Sequence, residues 1–230
     1  MIRLCQFAAS PFCDKIRRVL RYKKLEFEIH EWPIAEAASI REKNPAGKLP
    51  ILEIGGRTIA DSTTIALEIE KLHPEPPLLP ADPVERARVL LLEDWADESL
   101  YFYEMSSRFG EADFERNVWK LLPGVPQEMH ANVAPMIREA LKTTCAAQGV
   151  GRKPAADLEA DVDRLFGAID YLQRASGFVV GRSLTLADVA IAAQAECIGD
   201  STIGKRVLGR RPALAEYFER IDRLTSADRV

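Results

Sequence analysis

The chain has 230 residues, of which 29% are charged, and a formal net charge of −4 at pH 7. That balance gives no electrostatic case for nucleic acid or an anionic membrane as partner, and no apolar run approaches the roughly 18 residues of a membrane-spanning helix. Its four cysteines make no C-x-x-C pair and no metal-ligand spacing with the three histidines, so neither a disulfide framework nor a bound metal is expected.

A strand begins almost at residue 1, in the alternation Ile2-Arg3-Leu4-Cys5. The start is too short and too soon polar for a secretory signal, which points to a cytoplasmic protein with reduced thiols. Ala8-Ala9-Ser10-Pro11 breaks the strand; Ser10 suits an N-cap and Pro11 a first helical position. Phe12, Ile16, Val19 and Leu20 then line one face of a helix ending near Lys24. Alternation at Leu25, Phe27 and Ile29 predicts a second strand and with it a parallel βαβ crossover. The loop Asn44-Pro45-Ala46-Gly47-Lys48 leads into apolar runs at 49–54 and 57–60 around Gly55-Gly56, a β-hairpin pattern. Asp61-Ser62 then caps a helix whose Ile65, Leu67, Ile69 and Leu72 face a core.

Residues 73–83 are rich in proline and cannot be helical, so they read as a linker. Asp82-Pro83-Val84-Glu85 is a capping box opening a long helix through about Met105. Further on, Leu158, Val162, Leu165, Phe166, Ile169 and Leu172 make one helical face, and Leu214, Tyr217, Phe218, Ile221 and Leu224 another. Thr185 and Asp188 cap a helix between them. The predicted organisation is an α/β domain at 1–75 in the order βαβ-ββα, a linker at 76–83 and an all-α C-terminal domain at 84–230. The span 106–152, with Pro123, Pro126 and Pro135, is long for a plain helical pair and suggests a loop over a substrate pocket.

Three segments in order carry a resemblance to a family: Ser10-Pro11-Phe12-Cys13 opening the first helix, Lys48-Leu49-Pro50-Ile51-Leu52 before the hairpin, and Asp61-Ser62 after it. Together they resemble the glutathione-binding half of the glutathione S-transferase superfamily, and the remainder resembles its helical C-terminal domain. The resemblance implies a thioredoxin-like N-terminal domain, glutathione as cosubstrate, a small electrophile as second substrate and a homodimer built on the helices after Ser62 and Asp82. It implies a cis Pro50, with Leu49 offering its backbone to the cysteinyl part of glutathione, and Asp61-Ser62 holding the γ-glutamyl end. Lys48 is then placed to meet the glycyl carboxylate, and Phe12 belongs to the same site. The capping pair Thr185 and Asp188 resembles a structural feature of the helical domain, so Asp188 is expected to be structural.

Glutaredoxin-like relatives of the family carry a nucleophilic cysteine where this chain has Ser10, and a second one where it has Cys13. A serine cannot form a mixed disulfide; it can donate a hydrogen bond to the glutathione sulfur and favour its thiolate. Ser10 is therefore the first choice for the catalytic residue, although it also suits a plain cap. Cys13 sits one turn on, where it points either back toward position 10 or into the core. Tyr22, Tyr101 and Tyr103 are the alternative hydroxyl donors. Tyr101, Phe102, Met105 and Phe109, with Trp95 and Trp119, are candidates for an apolar pocket, set against ordinary core packing. Three functions remain at this level: a transferase acting on a small apolar electrophile, a thiol oxidoreductase using Cys13, and a binding protein without turnover.

Overall fold

The computed structural model describes residues 1–122 and 125–226; Pro123 and the last four positions of the helical span lie outside the described residues. β1 (Ile2–Gln6) leads through a short loop to α1 (Pro11–Tyr22), whose N-cap is Ser10. Helix α1 stops short of the predicted end because Lys24 takes φ 54° and the Leu25 amide turns back to the Leu20 carbonyl at 3.0 Å. That turn also delays β2, which runs Glu28–Glu31 rather than 25–29. Leu25 and Phe27 still pack on the core, ahead of the strand.

A 3-10 turn (Ile34–Ser39) and α2 (Ile40–Lys43) lead to β3 (Ile51–Ile54), β4 (Arg57–Ala60) and α3 (Ser62–Leu72). Both hairpin glycines have positive φ, Gly55 at 57° and Gly56 at 77°, as a tight two-residue turn between right-twisted strands requires. The sheet order is β2-β1-β3-β4, with β1 parallel to β2 and the other pairs antiparallel. On one face, Ile16, Val19 and Leu20 of α1 and Ile65, Ala66 and Ile69 of α3 cover Leu4 and Leu52; on the other, Cys5 and Ile51 pack with Trp32 and Ile40.

The second half is helical: α4 (Pro83–Trp95), α5 (Tyr101–Arg108), α6 (Phe114–Asn117), α7 (His130–Gln148), α8 (Ala155–Ser176), α9 (Leu186–Gly199), α10 (Thr202–Gly209) and α11 (Pro212–Thr225). The long helix expected through Met105 is divided by a wider π-type turn at Ala96–Leu100. Helix α9 is buried on every side from Leu186 to Ala195, and α1, α4, α5, α10 and α11 pack around it. Leu158, Val162, Phe166 and Ile169 of α8 enter that core, whereas Leu172, predicted on the same face, is exposed. The span 106–152 forms its own small core from Phe114, Val118, Leu122 and Ala134, with Trp119 stacked on His130. Asp113 ties it to the start of α10 through the Thr202 amide at 2.8 Å and hydroxyl at 2.9 Å.

Asp188 accepts from the Thr185 amide (2.8 Å) and hydroxyl (2.6 Å), the Val179 amide (2.9 Å) and the Tyr217 hydroxyl (2.5 Å). All of these lie in the interior, where a donor without a partner is costly. An Asp188→Ala variant is expected to lose about 3 kcal/mol or more of stability, because several buried donors lose their acceptor together. Urea denaturation measures this, and a loss under about 1 kcal/mol would contradict it.

The linker is fastened rather than loose. Glu70 of α3 accepts from the Leu78 and Leu79 amides at 3.0 and 3.1 Å and pairs with the buried Lys23 of α1. The Leu186 amide donates to the Leu78 carbonyl at 2.9 Å, so the linker bridges α3 and α9.

Candidate glutathione site

A cleft of about 560 Å³ opens where the start of α1, the loop before β3, the start of α3 and the α4–α5 segment meet. Ser10, Phe12, Lys48, Leu49, Pro50, Asp61 and Ser62 all line it, and so does Tyr101. Met105 and Phe109 do not: Met105 is buried, and Phe109 packs on the small core of Phe114 and Val118. Both lie beyond the π-type turn, which rotates α5 relative to the straight helix that the spacing implied.

Ser10 terminates α1, its Oγ accepting from the Cys13 amide at 3.4 Å. A hydroxyl carries one donor and two acceptor sites, so accepting from the Cys13 amide leaves its single O–H to donate, with the Cys13 thiol beside it as one acceptor within reach. Cys13 has no exposed surface. Burial pushes its thiol up to about 11, against smaller opposing effects of hydrogen bonds from Ser10 and the Phe7 backbone. The two positions left open for Cys13 are thus both occupied: it lies in the core and beside Ser10.

The Leu49–Pro50 peptide is cis. No hydrogen bond engages the Leu49 amide or carbonyl among the described residues, so both remain available to an extended peptide beside β3. Asn44 shapes the preceding loop, its Nδ2 donating to the Lys48 carbonyl at 2.8 Å and its Oδ1 accepting from the Ala46 amide at 3.1 Å. Lys48 is the one cation among the described residues lining the cleft.

Asp61 holds φ 76° and ψ 125°, a conformation that costs a non-glycine residue about 1–3 kcal/mol. It accepts from the Thr64 amide and hydroxyl, each at 2.9 Å, and so caps α3. The amides of Ser62 and Thr63, at the first positions of α3, have no partner within the helix. The Ser62 hydroxyl is not free: it donates to Asp97 at 3.2 Å.

Asp97 belongs to a buried charge cluster at the floor of the cleft. Lys15 of α1 is 1% exposed and donates to Glu93 at 2.6 Å, to Asp97, and to the Thr63 hydroxyl at 3.3 Å. The Thr63 hydroxyl in turn donates to Glu93 at 2.8 Å. Burial raises the Asp97 carboxyl above its ordinary range, with Lys15 opposing the shift. Two carboxylates around one ammonium leave the cluster one negative charge in excess when all three are ionised. It therefore presents an acceptor, through Asp97, to the cleft.

The sequence reading missed this cluster. Its signal was present: Glu93 and Asp97 are four residues apart and share a helix face with Val89 and Leu100, the apolar face. Acids on that face are buried charges that need a cation. Asp94 and Glu98, also on the cleft wall, were missed as well. Phe12 meets Tyr101 edge to face at 4.8 Å and Tyr101 lies 5.5 Å from Phe102, an aromatic wall beside Ser10.

Comparison with known proteins gives matches in sequence and in fold. Residues 4–77 match the family model "Glutathione S-transferase, N-terminal domain". The chain is 37% identical over 82 residues to a probable maleylacetoacetate isomerase 1 of Drosophila melanogaster, a match covering 33% of each chain. It is 27% identical over 210 residues to a glutathione S-transferase of Pseudomonas putida, covering 90% of this chain and 79% of that one. The chain thus spans only a third of the fly relative's length. Among solved structures, the beta-etherase LigF of Sphingobium superposes with a TM-score of 0.69 at 22% identity, over 96% of this chain and 93% of that one. These similarities lead to one assignment: residues 4–77 form a glutathione S-transferase N-terminal domain, and the chain as a whole is similar to a member of that family over most of its length.

Proposed function

We propose that the chain is a glutathione transferase that binds reduced glutathione in this cleft and uses Ser10 to favour the thiolate. Glutathione supplies the nucleophilic sulfur when bound. Leu49 offers its backbone amide and carbonyl, which no hydrogen bond engages among the described residues, to the cysteinyl part. The free amides of Ser62 and Thr63 at the start of α3 suit the γ-glutamyl carboxylate. Asp61, joined by Asp97 beside the Ser62 hydroxyl, faces the α-amino group. Lys48 meets the glycyl carboxylate.

The observation that carries the reading is the Ser10 hydroxyl at the first turn of α1, lining the same cleft as the unpaired Leu49 backbone. A free thiol has a pKa of about 8.5. A hydroxyl donor and a helix N-terminus both favour its anion, and a lowering of about two units makes it mostly ionised at neutral pH. The aromatic wall of Phe12, Tyr101 and Phe102 suits a small apolar electrophile next to that sulfur. Cys13 gives no support to a disulfide-exchange reading, because a fully buried thiol with a raised pKa is a poor nucleophile.

A homodimer fits the surface. Val84 and Leu91 stand seven residues apart on one face of α4, at 59% and 71% exposure, and Leu72 is exposed at the end of α3. Calorimetric titration with reduced glutathione, with sedimentation at the same protein concentration, tests the reading. The expected result is saturable binding to a dimer with the bound thiol's pKa, followed by thiolate absorbance, below about 8.5. Absence of binding at millimolar glutathione would remove the proposal.

A further inference from the structure

We infer that Arg108, reaching across from the helical half, is a positioning residue that fixes the Ala9–Ser10 peptide and so aims the Ser10 hydroxyl at the glutathione sulfur. The inference rests on the reading of Ser10 given above.

The loop between β1 and α1 is fastened at successive backbone groups. The Ala8 amide donates to Glu31 at 2.7 Å, and Arg17 donates to the Ala8 carbonyl at 3.1 Å. The Ser10 amide donates to the Phe7 carbonyl at 3.1 Å. These contacts all belong to the N-terminal domain. The Ala9 carbonyl is held differently: Arg108 of α5 donates to it from Nη1 at 3.0 Å. A peptide unit is planar and stiff. Holding the Ala9 oxygen at one end and the Ser10 nitrogen at the other therefore fixes the plane between them, and with φ of Ser10 at −82° where α1 begins it sets the direction in which the Ser10 side chain leaves the backbone.

Arg108 is poorly explained as a stabilising residue. Its side chain is 3% exposed and that of its partner Glu104 is 1% exposed, at 3.1 Å. A buried ion pair gives little net stability over apolar residues of the same volume. Its Nε is buried with no partner among the described residues, a further cost. The same Nη1 that reaches Ala9 contacts Glu104 and lies 3.4 Å from the Cys197 sulfur. The guanidinium thus commits one nitrogen to the loop and leaves another donor unused, which is the pattern of a group kept for a direction. Helix α5 also carries Tyr101 and Phe102 to the cleft wall, so one stiff element bears both the aromatic wall and the clamp on the thiol-activating loop.

A double-mutant cycle on the whole protein tests this, with the bound thiol's pKa as readout. Arg108→Lys keeps a cation opposite Glu104, but its side chain is one bond shorter and draws the donor back from the Ala9 carbonyl. The variant is expected to bind glutathione within about threefold of the parent while the thiol pKa rises by about one unit. In a Ser10→Ala background the same change is expected to have no further effect, because the arginine acts through the serine. Should Arg108→Lys fail to fold, the charge-neutral pair Glu104→Gln/Arg108→Met is read in the same way. An unchanged thiol pKa in the arginine variant, or an equal rise in the Ser10→Ala background, overturns the inference while leaving the Ser10 reading intact. If Ser10→Ala alone leaves the thiol pKa where it was, the Ser10 reading falls and takes this inference with it.

Discussion

Lys15→Met is expected to destabilise the protein by about 3–5 kcal/mol at neutral pH, the cost of leaving buried charge without its partner. The ammonium lies between Glu93 and Asp97 with 1% of its surface exposed. Methionine fills nearly the same volume, so the loss is electrostatic rather than steric. Two carboxylates are then left close together in the interior, each repelling the other's charge. The Asp97 carboxyl, which burial already raises, loses the ammonium that opposed the shift and binds its proton more tightly in the folded than in the unfolded state. The sign follows: where the folded state holds more protons, stability falls as pH rises above the unfolded carboxylate pKa of about 4. The deficit relative to the parent should thus be larger at pH 8 than at pH 5 in urea melts. Replacing all three charges, as Lys15→Met/Glu93→Gln/Asp97→Asn, is expected to recover most of the loss. A single variant within about 1 kcal/mol of the parent at pH 8 would show that the cluster is not a closed charge system.

Ser10→Ala is expected to raise the bound thiol's pKa by about two units and to cut turnover roughly tenfold on the acid side of neutrality. The effect depends on pH in a defined way. Below the parent's thiol pKa the variant has about a hundredfold less thiolate, but a more basic thiolate is a better nucleophile, which returns about a factor of ten. The deficit should close about one unit above the parent's thiol pKa. Past about 8.5, where both proteins hold mostly thiolate, the variant's more basic thiolate should make it the faster of the two. Because Ser10 also caps α1, the alanine variant is expected to lose about 1 kcal/mol of stability. Ser10→Gly separates the two roles, since glycine is tolerated at an N-cap but has no hydroxyl: it should match alanine in thiol pKa and the parent in stability. A pH-independent loss of turnover would mean that Ser10 acts on something other than the thiol proton.

Local signals made most of the architecture readable from the sequence. Proline at Pro11 and Pro83, capping residues at Ser10, Asp61 and Asp82, and the glycine pair at 55–56 each mark a boundary found within a few residues of its place. Where the reading slipped, a non-local cause is visible. Strand β2 starts late because the chain leaving α1 spends residues 23–25 on a left-handed turn, and Leu25 and Phe27 alternate for the core rather than for the ladder. The helix expected through Met105 has unbroken helical spacing, yet the π-type turn at Ala96–Leu100 turns Met105 and Phe109 away from the cleft. No residue type announces such a turn.

The candidate site divides the same way. The residues brought to the cleft by motif, among them Ser10, Leu49, Pro50 and Asp61, were reached through the resemblance of three short segments to a family pattern. Lys15, Glu93 and Asp97 are held by one another across 78 and 82 residues of chain, a pairing no local window contains. Arg108 is less visible still, since its contact at Ala9 is to a backbone oxygen that carries no mark of residue type.

The fastening of α1 to the helical half bears on how such a protein can be recombined. Arg18, which also pairs with Asp14 of its own helix, reaches like Lys15 to partners in the helical half: Glu196 of α9 and Asp222 and Thr225 at the end of α11. A graft that joined residues 1–75 of this chain to the helical portion of a relative would carry two buried cations into a foreign surface. It would survive only where that relative supplied carboxylates at all the matching points. The two halves are therefore exchangeable as a matched pair with their charges, and not as interchangeable parts.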